Sequence, residues 1–199
     1  MDLHLILAST SRYRADLLER LGLPFSAVAP QVDETPLAGE SPRALVIRLS
    51  RSKALAGASA QTGHGDALVI GSDQVAVLGE DILGKPGTEE NARAQLSRLS
   101  GQCVTFLTGL CLVNTGTGSE RQALIETPVW FRQLTAAQIA NYVAREQPLD
   151  CAGAFKSEGL GIALFERMGG PDPNALIGLP LIELCTMLEA EGLAILGDR

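Results

Sequence analysis

The chain has 199 residues, 46% of them apolar and 20% charged, with a formal net charge of −7. This is an ordinary globular composition, suited to a single domain spanning 1–199 or to two lobes sharing a core. An acidic chain lacks the basic face of a general nucleic-acid binder, although a mononucleotide needs only a local cluster of cations.

The opening MDLHLILAST has no basic n-region and no small-residue cleavage site, so no signal peptide is expected. Leu3–Ala8 predicts a short buried strand, followed by Ser9-Thr10-Ser11 and a helix carrying Leu17, Leu18 and Leu21 on one side. Gly22 and Pro24 end that helix, and Phe25–Ala29 reads as a second strand. The loop from Pro30 to Glu40 carries Val32-Asp33-Glu34-Thr35-Pro36. Ser41-Pro42 is an N-cap with proline at the first helical position, opening a helix to about Ala60. A polar turn at Thr62–Asp66 leads into a buried strand, Ala67–Gly71, which delivers Ser72-Asp73-Gln74. Val75–Leu83 predicts a hairpin turning at Gly79-Glu80-Asp81. After the tight Gly84-Lys85-Pro86-Gly87 connection comes a helix from Thr88 to Leu99. Val104–Val113 and Ala123–Arg132 read as long strands joined through residues 114–118. Thr135-x-x-Gln138 is a capping box for a helix ending near Glu146, Cys151–Gly161 is loop-like, and Pro180 starts a last helix ending at Gly192. No apolar run is long enough to span a bilayer, and no membrane partner is expected. Cys103, Cys111, Cys151 and Cys185 form no C-x-x-C pair, which predicts buried, reduced thiols and a cytoplasmic location. Alternating strands and helices followed by hairpins predict a mixed α/β sheet.

Several stretches could carry chemistry. Ser9-Thr10-Ser11-Arg12-Tyr13-Arg14 lies between a strand and a helix, where backbone N–H groups favour an anion. Arg14 shares the helical face of Leu17, Leu18 and Leu21; read locally, the stretch is equally a capped helix with solvated arginines. Asp33-Glu34 offers adjacent carboxylates to a hard cation such as Mg²⁺ or Mn²⁺, or is simply a solvated acidic loop. Lys53 falls within the apolar arc of Leu45, Val46, Leu49 and Ala56, so its ammonium must either reach water or meet an anion. Asp73, directly after an apolar run, could bind a metal, take a proton from water, or cap a turn. Lysine occurs only at Lys53, Lys85 and Lys156, and the latter two sit in the compact signatures G-K-P and F-K-S-E-G. Together these residues supply cations for a polyphosphate, carboxylates for a metal, and a base for water. The G-x-x-x-x-G-K-[ST] loop is absent, and His4 and His64 are isolated.

Leu5-Ile-Leu-Ala-Ser-Thr-Ser, Val32-Asp-Glu-Thr-Pro, Gly71-Ser-Asp-Gln-Val, Gly84-Lys-Pro and Phe155-Lys-Ser-Glu-Gly, in that order across nearly the whole chain, resemble the Maf family of nucleotide pyrophosphatases. The resemblance implies a two-lobed, ITPase-like mixed α/β sheet with flanking helices and an active-site cleft between the lobes. It implies metal-dependent hydrolysis of a nucleoside triphosphate between the α and β phosphates, with Asp73 as proton acceptor. Glu34, Lys53 and Lys85 would act with it, Ser9 and Arg14 would bind substrate, and Glu34 and Asp73 would contact the divalent metal. Tyr13, Gln74 and Glu158 match the specificity positions of the subgroup acting on 7-methyl-GTP; the subgroup acting on dTTP and UTP tends to carry Arg, Thr and Gln there. Methylated guanine is cationic, which suits an aromatic ring such as Tyr13 and a carboxylate such as Glu158. The rival readings are the same reaction on dTTP, UTP or another modified nucleotide, and a non-enzymatic nucleotide-binding role in cell division. A homodimer is an expectation of family analogy alone. Arg12 stands where the family usually has proline and is expected to face solvent.

Overall fold

The computed structural model of the chain describes residues 4–60 and 65–197. Leu3 of the first expected strand, and residues 62–64 of the expected turn with His64, lie outside the described residues. The elements are β1 (His4–Ala8), α1 (Arg12–Glu19), β2 (Phe25–Val28), α2 (Pro42–Ser59), β3 (Ala67–Leu78), β4 (Asp81–Leu83), α3 (Glu89–Leu99), β5 (Cys103–Asn114), β6 (Glu120–Phe131), α4 (Ala136–Glu146), β7 (Phe165–Met168) and α5 (Leu181–Ala190). The strands make one seven-stranded sheet in the order β2-β1-β3-β5-β6-β7, with β4 on β3. β1 runs parallel to both β2 and β3, while β4 and β7 are antiparallel to their neighbours, so the expected mixed α/β architecture is the one that forms.

Helix starts follow the side-chain chemistry. Ser11, Ser41, Thr88 and Thr135 each accept a hydrogen bond from a first-turn backbone N–H, and Thr135 with Gln138 completes the capping box. The chain divides into two compact units. One comprises Met1–Gln74, Thr108–Ile125 and Asp172–Arg199; the other comprises Val75–Leu107 and Glu126–Pro171.

In the first unit the period-2 alternation of the strands separates two apolar layers. Leu5, Leu7, Leu68, Ile70, Leu110 and Leu112 face Leu17 and Leu18 of α1 and Leu184, Met187 and Leu188 of α5. Ile6, Ala8, Ala67, Val69, Cys111 and Val113 face Ala54 of α2. On that second face α2 rests almost on bare backbone. A Cβ at Gly71 would fall on the carbonyl of Ser50 and come 2.5 Å from the Ala54 nitrogen, and one at Gly109 would fall on the carbonyl of Val46. Gly71→Ala is therefore expected to destabilise the fold by about 3 kcal/mol, the upper end for overpacking a core, because the obstructing atoms are backbone. Urea denaturation measures this; a loss well under that figure would show that α2 is free to retreat.

In the second unit four phenylalanines interlock edge to face. Phe155 lies 5.2 Å from Phe106, 5.6 Å from Phe131 and 4.8 Å from Phe165, ring centre to ring centre. α3 packs on α4 and on the short 3₁₀ turn at Ala152–Ala154.

Three expectations need correction. The strand expected to end at Gly71 continues to Leu78, so Ser72-Asp73-Gln74 lies inside β3 and not at its end. The turn of the following hairpin does form at Gly79-Glu80, with Ala76 opposite Leu83. The stretch Cys151–Gly161 contains a 3₁₀ turn and the start of another, Leu160–Leu164, and β7 follows where no strand was expected. All four cysteines are free, but only Cys111 is buried; Cys103 is exposed, and Cys151 and Cys185 are half-buried.

Candidate active site

The register of β1 explains how an aspartate inside a strand becomes available. Leu7 pairs with Ile70, and β1 stops at Ala8. β3 therefore runs on past the carboxyl end of its neighbour, and Asp73 lies beyond the last β1 partner. The rule that ligands gather at strand carboxyl ends applies here to β1, not to β3. Alternation then sorts the polar residues. Gly71 and Asp73 face α2, whereas Ser72 and Gln74 face the α1 and α5 layer.

On the α2 face, the close approach at Gly71 brings Lys53 to the strand. Lys53 is 6% exposed and Asp73 7%, and the ammonium Nζ lies 2.7 Å from Asp73 Oδ1. The same Nζ lies 2.7 Å from Glu34 Oε1, whose side chain is 60% exposed. Sequence spacing left open whether the lysine on the apolar stripe would meet water or an anion; it meets two carboxylates. Charge-assisted pairs of this length are the strong ones, and burial makes each partner depend on the other.

The Asp33-Glu34 pair also divides its work. Asp33 Oδ1 accepts from the Thr35 backbone N–H at 2.9 Å, and hydrogen bonding from the Thr35 side chain and then from this N–H draws the Asp33 carboxyl below its ordinary value. Asp33 thus shapes the turn and Glu34 reaches Lys53. The loop is anchored by a pair that sequence reading missed. Arg48 donates from Nε to Glu40 Oε1 at 2.6 Å, from Nη2 to Glu40 Oε2 at 2.8 Å, and to the Thr35 carbonyl at 3.1 Å. That grip holds the Glu40 carboxyl at about 2. The only sequence signal was an acid and an arginine eight residues apart across a helix start, which is not a pairing pattern of helix or strand.

On the opposite face, Ser11 caps α1, and Ser9 accepts from the Ser11 backbone N–H at 3.1 Å. Arg14 Nε donates to the Gly178 carbonyl at 2.8 Å, and its Nη1 lies 3.4 Å from Ser9 Oγ. Burial pulls the Arg14 guanidinium below the ordinary arginine value, while the charges of Asp73 and then Glu34 act in the opposite direction. Arg14 is thus electrically within reach of both carboxylates. Gln74 Nε2 donates to Thr108 Oγ1 and the Ala175 carbonyl. Tyr13 is half-buried on α1. Arg12 is solvent-facing as expected, with Asp16 3.8 Å away one turn on.

The second unit carries the other two lysine motifs. Lys85 is exposed on a loop held at both sides by α3: Gln95 Nε2 donates to the Gly84 carbonyl at 3.1 Å and Asn91 Nδ2 to the Pro86 carbonyl at 3.0 Å. Lys156 is turned back onto α4, donating from Nζ to the Glu146 carbonyl at 3.4 Å and from its backbone N–H to the Tyr142 hydroxyl at 3.1 Å. Glu158 is exposed and accepts from Ser157 Oγ at 3.3 Å.

Among the described residues no group of three or more His, Cys, Asp or Glu side chains is gathered for a metal. Two carboxylates converging on one cation still match the demand of Mg²⁺ or Mn²⁺, which take one or two protein carboxylates and fill the remaining positions with water and phosphate oxygens.

Comparisons with known proteins bear on the fold and the family. The structure of the Staphylococcus aureus Ham1 protein has a similar fold, with a TM-score of 0.51 at 12% identity, covering 94% of this chain and 99% of that one. The 7-methyl-GTP pyrophosphatase of Nitrosococcus oceani is 58% identical over 193 residues, 96% of this chain and 95% of that protein. The 7-methyl-GTP pyrophosphatase of Vibrio vulnificus is 55% identical over 193 residues, 97% of each chain. The Maf-like protein family matches over residues 4–191, from the first residue of β1 to just past α5, and with these full-length relatives it makes the chain a member of the Maf family.

Proposed function

We propose that this chain is a metal-dependent nucleoside triphosphate pyrophosphatase that converts 7-methyl-GTP to 7-methyl-GMP and diphosphate. The observation that carries the reading is the buried Lys53 ammonium held 2.7 Å from both Glu34 and Asp73. Two carboxylates gathered on one cation are a set of groups that phosphoryl chemistry uses, the acids for a metal and a proton and the cation for developing charge. Relatives above half identity named for this activity support the same assignment.

Asp73 accepts the proton of the water that attacks phosphorus. Glu34 and Asp73 would hold the divalent cation, which when bound offsets polyphosphate charge and polarises the phosphoryl oxygens. Lys53, Arg14 and Lys85 supply positive charge to the phosphates, and Ser9 supplies a hydroxyl. Tyr13 offers its ring face to the cationic base, and Glu158 its carboxylate to the guanine N1–H and amino group. Free thiols at all four cysteines suit a reducing cytoplasm.

A substrate panel scored by diphosphate release, with Mg²⁺, Mn²⁺ or chelator, tests this. The expected kcat/KM for 7-methyl-GTP exceeds that for UTP and dTTP by about tenfold or more, the discrimination a site recognising a charged base can supply. Faster turnover of UTP would transfer the chain to the pyrimidine-specific reading. No diphosphate release from any nucleotide would favour a binding protein instead.

A further inference from the structure

Ser72 has no part in the chemistry above, yet its side chain is fully buried beside it. Its hydroxyl lies 2.9 Å from the Gly109 carbonyl on β5 and 2.9 Å from the Gly178 carbonyl. The Gly178 carbonyl is also the acceptor for Arg14 Nε. We infer that Ser72 is a positioning residue for Arg14, acting through the Gly178 carbonyl they share, and that residues 172–178 form the mount on which the guanidinium is aimed.

The rest of that segment is fixed in a way consistent with a mount. Asp172, 2% exposed, accepts from the Asn174 backbone N–H at 2.8 Å, from Asn174 Nδ2 at 3.0 Å and from the Ile182 N–H at 2.7 Å. Gln74 Nε2 donates to the Ala175 carbonyl at 2.7 Å and the Leu176 carbonyl at 3.2 Å, and Thr108 Oγ1 donates to Ala175 at 2.9 Å. Gly178 has φ of 127°, a region that disfavours any side chain, and its carbonyl meets both donors. A guanidinium held by Nε has its plane set, leaving Nη2 and the second N–H of Nη1, whose other contact is Ser9 Oγ, to meet phosphate oxygens. Ser72 thus supports the substrate grip from behind. Gln74 shares the task, so its amide nitrogen serves the mount.

The inference rests on the reading that Arg14 binds the polyphosphate, and a double-mutant cycle separates the two. KM and kcat for 7-methyl-GTP, and the Kd of a non-hydrolysable α,β-methylene analogue, are measured for wild type, Ser72→Ala, Arg14→Ala and the double variant. Ser72→Ala is expected to raise KM and Kd about three- to tenfold with kcat little changed, and to add nothing once Arg14 is gone, as coupled neighbours do. An equal effect of Ser72→Ala with and without Arg14 would overturn the positioning role while leaving Arg14 as a phosphate ligand. An unchanged Kd in Arg14→Ala alone would remove the reading of Arg14, and this inference with it. If Ser72→Ala does not fold by circular dichroism, Ser72→Cys, nearly isosteric with a weaker donor, carries the same cycle.

Discussion

Replacing Asp73 by asparagine is expected to slow diphosphate release by about 10²–10⁴-fold, the range for removing a positioned general base, with a much smaller change in KM. The amide keeps the shape of the carboxylate, and its oxygen can still accept from Lys53 Nζ, now 2.7 Å from Asp73 Oδ1. What it loses is the capacity to take a proton. The fold should stand, because the apolar layer of Ala67 and Val69 on the same strand face is untouched. Single-turnover kinetics with a thermal melt on the same sample make the measurement. Wild-type turnover in a folded Asp73→Asn protein would end the general-base assignment.

Lys53→Met should damage both rate and stability. The substitution leaves Asp73, 7% exposed, with its nearest cation gone. Breaking a buried pair from one side costs about 3–5 kcal/mol, since the remaining charge is stranded. Turnover should fall about 10²–10³-fold, as when one preorganised donor to a developing charge is removed. Glu34→Gln supplies the internal control. It removes the other partner of the same ammonium, but that partner is 60% exposed, so its stability cost should stay under about 1 kcal/mol. Urea denaturation of the two variants side by side tests the contrast. Equal losses would mean that burial does not distinguish the two halves of the ion triad.

Much of this was legible in the residues, and the failures have physical causes. Lys53 could be placed on the buried arc of its helix because a 3.6-residue period is a local property. Its partners could not, because Asp73 is brought to it by the approach of backbone to backbone at Gly71, a contact between elements. β3 was read as ending at Gly71 since Gly-Ser-Asp is turn chemistry in isolation. The strand continues because each polar side chain finds a distant partner: Ser72 the Gly109 and Gly178 carbonyls, Asp73 the Lys53 ammonium. β7 escaped notice because Phe-Glu-Arg-Met buries only its phenylalanine and shows no alternation. Gly178 carried no signal either: the sequence shows a glycine before Leu179-Pro180, and nothing in it says that its carbonyl will hold an arginine from α1.

The bare seam where α2 lies on Gly71 and Gly109 has a mechanical consequence. Helices that mesh through side chains can slip by one ridge and lock again, but main chain lying on main chain has no second notch. The separation of α2 from the strand beneath Lys53 and Asp73 is therefore a dimension of the main chain. Of the two carboxylates on the ammonium, only Glu34, 60% exposed, stands outside that frame.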